Sequence, residues 1–386
     1  MSSNNTSALK IGLRRFAWAL AVATLLLALV VLDFLRFGGW FTELPPTTDH
    51  RCRSLPLSAS SEDIQIDRSR GLAFLSLLDR RGLITGSAKD GDIGILDLND
   101  PDAAPLSALG SIPVGFRPHG MSLYPMGDGS YRLFVISHPP DGSHIIEVFE
   151  QPSSGGFFIP VASFSSPLFQ SPNAIVATGP SQFYLVNDKG ATNGFERLRE
   201  TLFRSGLSTI VYFDSTQPEA EQARVVATGV KTGVGLGMSL DGRWLFAAET
   251  LGKRIAIFER NAGTGDIEII GHLPTPGSPD NIHIDGKGLL WVAVHPKLLD
   301  LVRHFGDPDH RSPSLIMQYS PRSELISDEP GIAPADLLAG EWLTAHFNDG
   351  ELISAGSIGA VHHDMLLIGS ITESHVLQCR LQEGLE

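Results

Sequence analysis

Short, unbroken apolar runs separated by polar turns dominate the chain. They lie at 71–75, 93–98, 132–137, 145–149, 183–186, 209–213, 244–248, 254–258, 290–294, 315–319 and 365–368. Each is too short for a helix and reads as a strand. Ser239-Leu240-Asp241-Gly242-Arg243-Trp244 and His283-Ile284-Asp285-Gly286-Lys287-Gly288 read as hairpin turns, and their starts lie 44 residues apart. That period matches a propeller blade of four short strands. Recurring units near residues 71, 119, 173, 234, 281 and 352 count to six, with insertions between them. The pattern predicts an all-β fold, a six-bladed β-propeller over residues 51–382. Two segments carry helical spacing instead. Phe195, Leu198, Leu202 and Phe203 form one set, and Leu298, Leu299, Leu301 and Val302 the other. They predict short helical insertions on one face, acting as lids, as membrane-facing elements or only as packing.

The N-terminus follows a different pattern. Residues 16–32 form a 17-residue run in which only Thr24 is polar, and Phe34, Leu35, Phe37 and Trp40 extend it toward a full membrane span. Lys10, Arg14 and Arg15 precede it, which orients residues 1–15 as a cytoplasmic tail by the positive-inside rule. The absence of a small-residue cleavage pattern favours a retained signal anchor at 16–37, followed by a linker at 38–50. The expected topology is single-pass, with the propeller on the extracytoplasmic side.

Composition adds constraints. Gly 40, Pro 25 and 8% aromatic residues fit a turn-rich chain. Residues 1–40 hold four cations and one anion, leaving the exported part with 25 basic and 42 acidic residues, a net charge of −17. That balance argues against nucleic acid and makes cations the natural partners. The two cysteines, Cys52 and Cys379, bracket the exported part. Export makes them a disulfide candidate, the alternative being two buried thiols.

Candidate chemistry sits at strand starts and ends. Pro118-His119-Gly120-Met121-Ser122 and the run 133–139 place His119 and His138 at one rim of a sheet, either as a proton-sharing pair or as histidines satisfied by backbone carbonyls. Ser61-Glu62-Asp63, Pro172-Asn173-Ala174 and Pro279-Asp280-Asn281 each put oxygen side chains before an apolar strand. Aimed into a propeller channel, such hard donors suit Ca²⁺; singly, each is an ordinary turn or cap. No Gly-x-Ser-x-Gly elbow is present, which argues against a serine nucleophile.

Taken together, these motifs resemble the paraoxonase and arylesterase family. The resemblance covers about residues 50 to 380. It is carried, in order, by Ser61-Glu62-Asp63, Pro118-His119-Gly120, Val135-Ile136-Ser137-His138-Pro139, Asn173 with Ile175-Val176-Ala177, Tyr184 with Asn187-Asp188, Ser239 with Asp241-Gly242, Asp280-Asn281-Ile282, Trp291-Val292 with His295-Pro296, and Leu366-Leu367-Ile368-Gly369. It implies a calcium-dependent six-bladed propeller that hydrolyses aryl esters or lactones, with an uncleaved apolar N-terminus and a disulfide between the propeller's ends, on Cys52 and Cys379. By the same resemblance Glu62, Asn173, Asp280 and Asn281 hold a catalytic Ca²⁺, and His119 and His138 form the proton-transfer dyad. A second, structural ion uses Asp63 and the carbonyl of Met121. Two positions depart from the family. Val234 stands where a further asparagine ligand is expected, and Ala174 where an aspartate of the structural site is expected. The first loss predicts a weaker catalytic ion and the second an empty structural site.

The implied mechanism is metal-assisted hydrolysis of a small ester or lactone, with His119, oriented by His138, activating water and His295 as a further candidate acid or base. The competing readings are a propeller that kept its scaffold for binding or assembly and lost turnover, and a metal-free propeller enzyme.

Overall fold

A computed structural model of the chain describes residues 3–44, 46, 47, 52–100, 102–321 and 334–381, with side chains from residue 12 onward. The Lys10 side chain, positions 45 and 48–50 of the expected linker, and the expected propeller limits 51 and 382 lie outside the described residues.

The described strands form six four-stranded antiparallel sheets, which makes the fold a six-bladed β-propeller. The inner strands are Ser60–Asp67, Pro118–Pro125, Pro172–Gly179, Gly233–Met238, Ser278–Ile284 and Gly356–His362, in blades 1 to 6. Blade 1 therefore starts eleven residues before the apolar run at 71, which belongs to its second strand, Leu72–Leu78.

The unbroken apolar runs are the second and third strands of the blades, and burial on both faces explains them. In Tyr131–Ser137 of blade 2, Leu133 and Val135 pack with Phe74 and Ile93 of blade 1. The alternate residues Phe134 and Ile136 pack with Phe183 and Leu185 of blade 3. Blade 4 repeats the arrangement. Leu245 and Ala247 face Tyr184, while Trp244, Phe246 and Ala248 face Leu290 and Val292. Six such interblade cores replace a single central one, leaving the axis free for polar groups.

The ring closes with a strand from each end of the chain. Cys52–Pro56 pairs with His375–Arg380 as the outer edge of blade 6, in a register that sets Cys52 opposite Cys379, and the two are disulfide-bonded.

Helix α1 (Ser3–Phe37) runs unbroken through the expected tail and anchor, and its segment Gly12–Phe37 is long and apolar enough to cross a membrane. It stops at Gly38-Gly39. Gly39 has φ +79°, and a Cβ there would lie 2.4 Å from the Pro296 carbonyl oxygen, so the close approach needs glycine. Four further short α-helices follow among the described residues: α2 (Arg80–Thr85), α3 (Gly194–Phe203), α4 (Leu298–Gly306) and α5 (Pro334–Leu337). Helices α3 and α4 are the expected insertions, and α2 and α5 are additions. The end of α1 docks on α3, α4 and the loop before blade 4's third strand. Leu299 N–H donates to Gly38 O (3.0 Å), Arg204 pairs with Asp33 (2.6 Å), and Phe37 lies under both Arg204 and Lys253.

A bridge that closes almost the whole propeller into a loop restricts the unfolded chain strongly, by about 5 kcal/mol in the loop-entropy model. The double variant Cys52→Ser/Cys379→Ser is expected to melt on the order of 5–10 °C lower in a thermal scan. An unchanged melting temperature would show that strand pairing alone closes the ring.

Candidate active site

Every inner strand slips register against its neighbour near its start. The breaks fall between Ser61 and Ile64, Pro118 and Met121, Pro172 and Ala174, Gly233 and Gly235, Pro279 and Ile282, and Gly356 and Ile358. The residues inside these bulges are Glu62-Asp63, His119-Gly120, Asn173, Val234, Asp280-Asn281 and Ser357. A bulge leaves its extra residue unpaired and re-aims the side chain. Repeated around the ring, the same irregularity gathers residues hundreds of positions apart.

Glu62 is the hub. Asn281 Nδ2 donates to its Oε1 (2.8 Å) and to its backbone carbonyl (3.1 Å), and Ser357 Oγ donates to the same carbonyl (2.7 Å). Its Oε2 lies 3.6 Å from His119 Nε2 and 3.8 Å from Arg80 Nη2, with no hydrogen-bond donor within reach. Asp280 is buried beside it and bonds His295 Nε2 at 2.8 Å. Burial pushes both carboxyls above their ordinary range, against the opposing pull of Arg80.

The histidines form a chain. His119 Nδ1 lies 3.0 Å from His138 Nε2, and His138 Nδ1 lies 2.8 Å from His144 Nδ1. Both contacts are satisfied when His119 and His138 each carry their proton on Nδ1, which leaves the Nε2 lone pair of His119 facing Glu62. Burial, reinforced by the charges of Arg80 and Lys189, depresses the His119 pKa to about 3, and burial lowers that of His138 as well. Both rings are neutral at neutral pH.

Tight strand packing holds this arrangement. A Cβ on Gly120 would lie 2.3 Å from the Asn173 carbonyl oxygen, and one on Gly235 would lie 2.5 Å from that of Asp280. Blades 2 and 4 thus press directly on blades 3 and 5 at the level of the site.

The structure brings His119, His138, Glu62, Asn173, Asp280, Asn281 and His295 to one end of the channel. Asp63 lies below them with both oxygens engaged. Oδ2 accepts from Met121 N–H (2.8 Å) and Oδ1 from Ile64 N–H (2.8 Å) and Gln65 Nε2 (3.4 Å). Asp63 and Met121 do meet, but through the Met121 amide. Burial raises the Asp63 pKa to about 7, with the charge of Glu62 adding to the effect. Val234 occupies the blade 4 bulge and brings no oxygen there, and Ala174 packs into an interblade core.

Sequence reasoning missed Arg80, Arg117, Lys189, His144 and Ser357. Arg80 and Lys189 follow the second strands of blades 1 and 3, Leu72–Leu78 and Gln182–Asn187, as His138 follows Tyr131–Ser137 in blade 2, and that shared placement is the one trace they leave in the sequence. His144 sits in a loop after Asp141-Gly142, and only the fold brings it to His138. A cavity of about 290 Å³ lies over the histidines, lined by Arg80, Arg117, His119, His138, Asp188 and Lys189 among others. Through Ser171 and Lys189 it shares its wall with a larger cavity of about 840 Å³, whose apolar lining comes from Phe34 and Phe37 of α1 and Leu298, Leu299 and Val302 of α4.

Calcium suits the donor set. Glu62 Oε2 and Asn173 Oδ1 are buried oxygens without hydrogen-bond partners, and Glu62 and Asp280 are buried carboxylates whose charge calls for a cation. Buried carboxylates beside a chain of imidazoles, under a cavity with an apolar antechamber, make this end of the propeller channel the candidate active site. The arylesterase family model matches residues 44–381. Serum paraoxonase/arylesterase 1 of Rattus norvegicus is 28% identical over 86% of this chain and 89% of its own length. Serum paraoxonase/lactonase 3 of the same organism is 28% identical over 91% and 94%, and serum paraoxonase/arylesterase 2 of Homo sapiens 28% identical over 84% and 87%. The chain belongs to the arylesterase family.

The packing at Gly120 generates a paired test. Gly120→Ala forces two inner strands apart and is expected to cost about 1–3 kcal/mol in urea unfolding. Gly127→Ala, where a Cβ meets nothing within 4 Å, is expected to leave stability unchanged. Equal midpoints for the two variants would contradict the close-approach account.

Proposed function

We propose that the protein is a membrane-anchored, calcium-dependent hydrolase of aryl esters or lactones, with its propeller on the extracytoplasmic side and residues 1–15 in the cytoplasm. The observation that carries this reading is the pairing of two buried carboxylates, Glu62 and Asp280, with a neutral His119 whose Nε2 faces Glu62 Oε2 at 3.6 Å. Family membership and the apolar helix α1 support it.

Glu62, Asn173, Asp280 and Asn281 would hold the ion. When bound there, calcium supplies charge that polarises the substrate carbonyl and acidifies the attacking water. His119 accepts the water proton at Nε2. Its Nδ1–H is held by His138, whose own Nδ1–H is held by His144, so the ring keeps one tautomer and one orientation through the step. Hydroxide adds to the carbonyl carbon, the acyl–oxygen bond breaks, and the proton on His119 passes to the leaving oxygen.

His119→Gln is expected to lower kcat on phenyl acetate and on a δ-lactone by about 10²–10⁴, with the calcium-induced rise in melting temperature intact. Glu62→Ala and Asp280→Ala should lose both hydrolysis and that rise. Full activity in excess chelator, or in His119→Gln, would overturn the mechanism. Val234→Asn restores an amide oxygen at the blade 4 bulge and is expected to lower the calcium concentration needed for half-maximal thermal stabilisation. An unchanged midpoint would mean that blade 4 takes no part in holding the ion.

A further inference from the structure

The catalytic cavity is lined by three cationic side chains, Arg80, Arg117 and Lys189, and by one acid, Asp188. Asp188 is already engaged, accepting from the Ser171 hydroxyl and lying 3.4 Å from Lys189 Nζ. The two guanidinium groups are less well served. Arg80 is 12% exposed; its Nη2 donates to Pro118 O at 3.2 Å, while Nη1 is buried without an acceptor. Arg117 Nε is likewise buried without an acceptor. The nearest carboxylate, Glu62, reaches Arg80 only at 3.8 Å, and the same group serves as an expected metal ligand.

Leaving charged donors buried and unsatisfied is costly, and two such groups on one small cavity next to the reacting centre match a ligand that brings its own acceptors. A guanidinium fork is shaped for a planar oxyanion.

We propose that the preferred substrate is an ester or lactone bearing a second, anionic group, a carboxylate, which Arg80 and Arg117 hold beside the scissile carbonyl. This deepens the hydrolase reading of the same cavity and rests on it. Hydrolysis adds one water, breaks the acyl–oxygen bond and releases one proton; an ester yields a dicarboxylate and a separate alcohol or phenol, and a lactone yields a single hydroxy-dicarboxylate. The second carboxylate forms next to the first, and their mutual repulsion assists release.

The test uses the full-length, detergent-solubilised, calcium-supplemented protein and two phenyl esters of similar size, phenyl hydrogen succinate and the neutral phenyl levulinate, with phenol release as the readout. The wild type is expected to favour the anionic ester in kcat/KM by about tenfold or more, and Arg80→Met and Arg117→Met are each expected to bring that ratio toward about 1. Because Arg80 also lies near Glu62, the ratio and not the absolute rate is decisive, and the Arg117 variant serves if the Arg80 variant does not fold. Glutarate binding, followed by calorimetry, provides a readout independent of turnover. Turnover of both esters with a ratio near unity in the wild type would overturn the anion preference and leave the hydrolase reading standing. Glutarate binding that is lost in Arg117→Met, with neither ester turned over, would support the anion site and remove the hydrolase reading. Neither turnover nor glutarate binding would remove both.

Discussion

The break in pairing at the start of each inner strand is the constraint on which the rest depends. A regular antiparallel pair would alternate its side chains between the two neighbouring blades and send none down the axis. By slipping register at the same level in all six blades, the chain turns one or two residues per blade toward the channel, and those residues are Glu62, His119, Asn173, Val234, Asp280 and Ser357 with their neighbours. Glycines at 120 and 235 let the slipped strands close on one another. The interblade cores hold adjacent sheets together, and the Cys52–Cys379 bridge ties the two ends of the chain across the outer edge of blade 6.

A site built this way concentrates charge where solvation is poor. Glu62 and Asp280 are both buried, and their carboxyls are held above the ordinary range by that burial. Arg80 offsets part of the cost, itself pushed to a lower pKa by burial. One guanidinium against two carboxylates leaves a negative remainder, the electrostatic basis for a divalent cation. Adding such an ion reverses the sign, because Arg80 stays. With an ion bound, the cavity above would carry net positive charge, which would favour both a developing oxyanion and an anionic substrate group.

Much of this was legible in the sequence, for definable reasons. The second strands showed through because burial on both faces demands unbroken apolar runs, as at Trp244–Glu249 and Leu290–His295. The outermost strands did not, since Ile159–Ser165 and Ala223–Val230 face solvent and mix polar with apolar residues. Blade 1 was placed too late because its inner strand, Ser60–Asp67, is mostly polar. Residues of the bulges were recognisable from turn-like dipeptides and from resemblance. Arg80 was not, because a cation after a strand usually marks a solvated end, and only α2, capped by Asp79, turns this one inward. The docking of α1 against α3 and α4 was likewise hidden, since Asp33 and Arg204 meet only in the folded chain. That contact sets the apolar antechamber at the C-terminal end of α1, where Phe34 and Phe37 line it.

The central claim is that the bulge residues form one cation site. Equilibrium dialysis of the full-length protein against radioactive calcium tests it directly. The account predicts one ion bound per chain, retained in Asp63→Asn, whose carboxylate is engaged by N–H donors, and lost in Asp280→Asn. No saturable binding to the wild type, or binding that survives in Asp280→Asn, would contradict it.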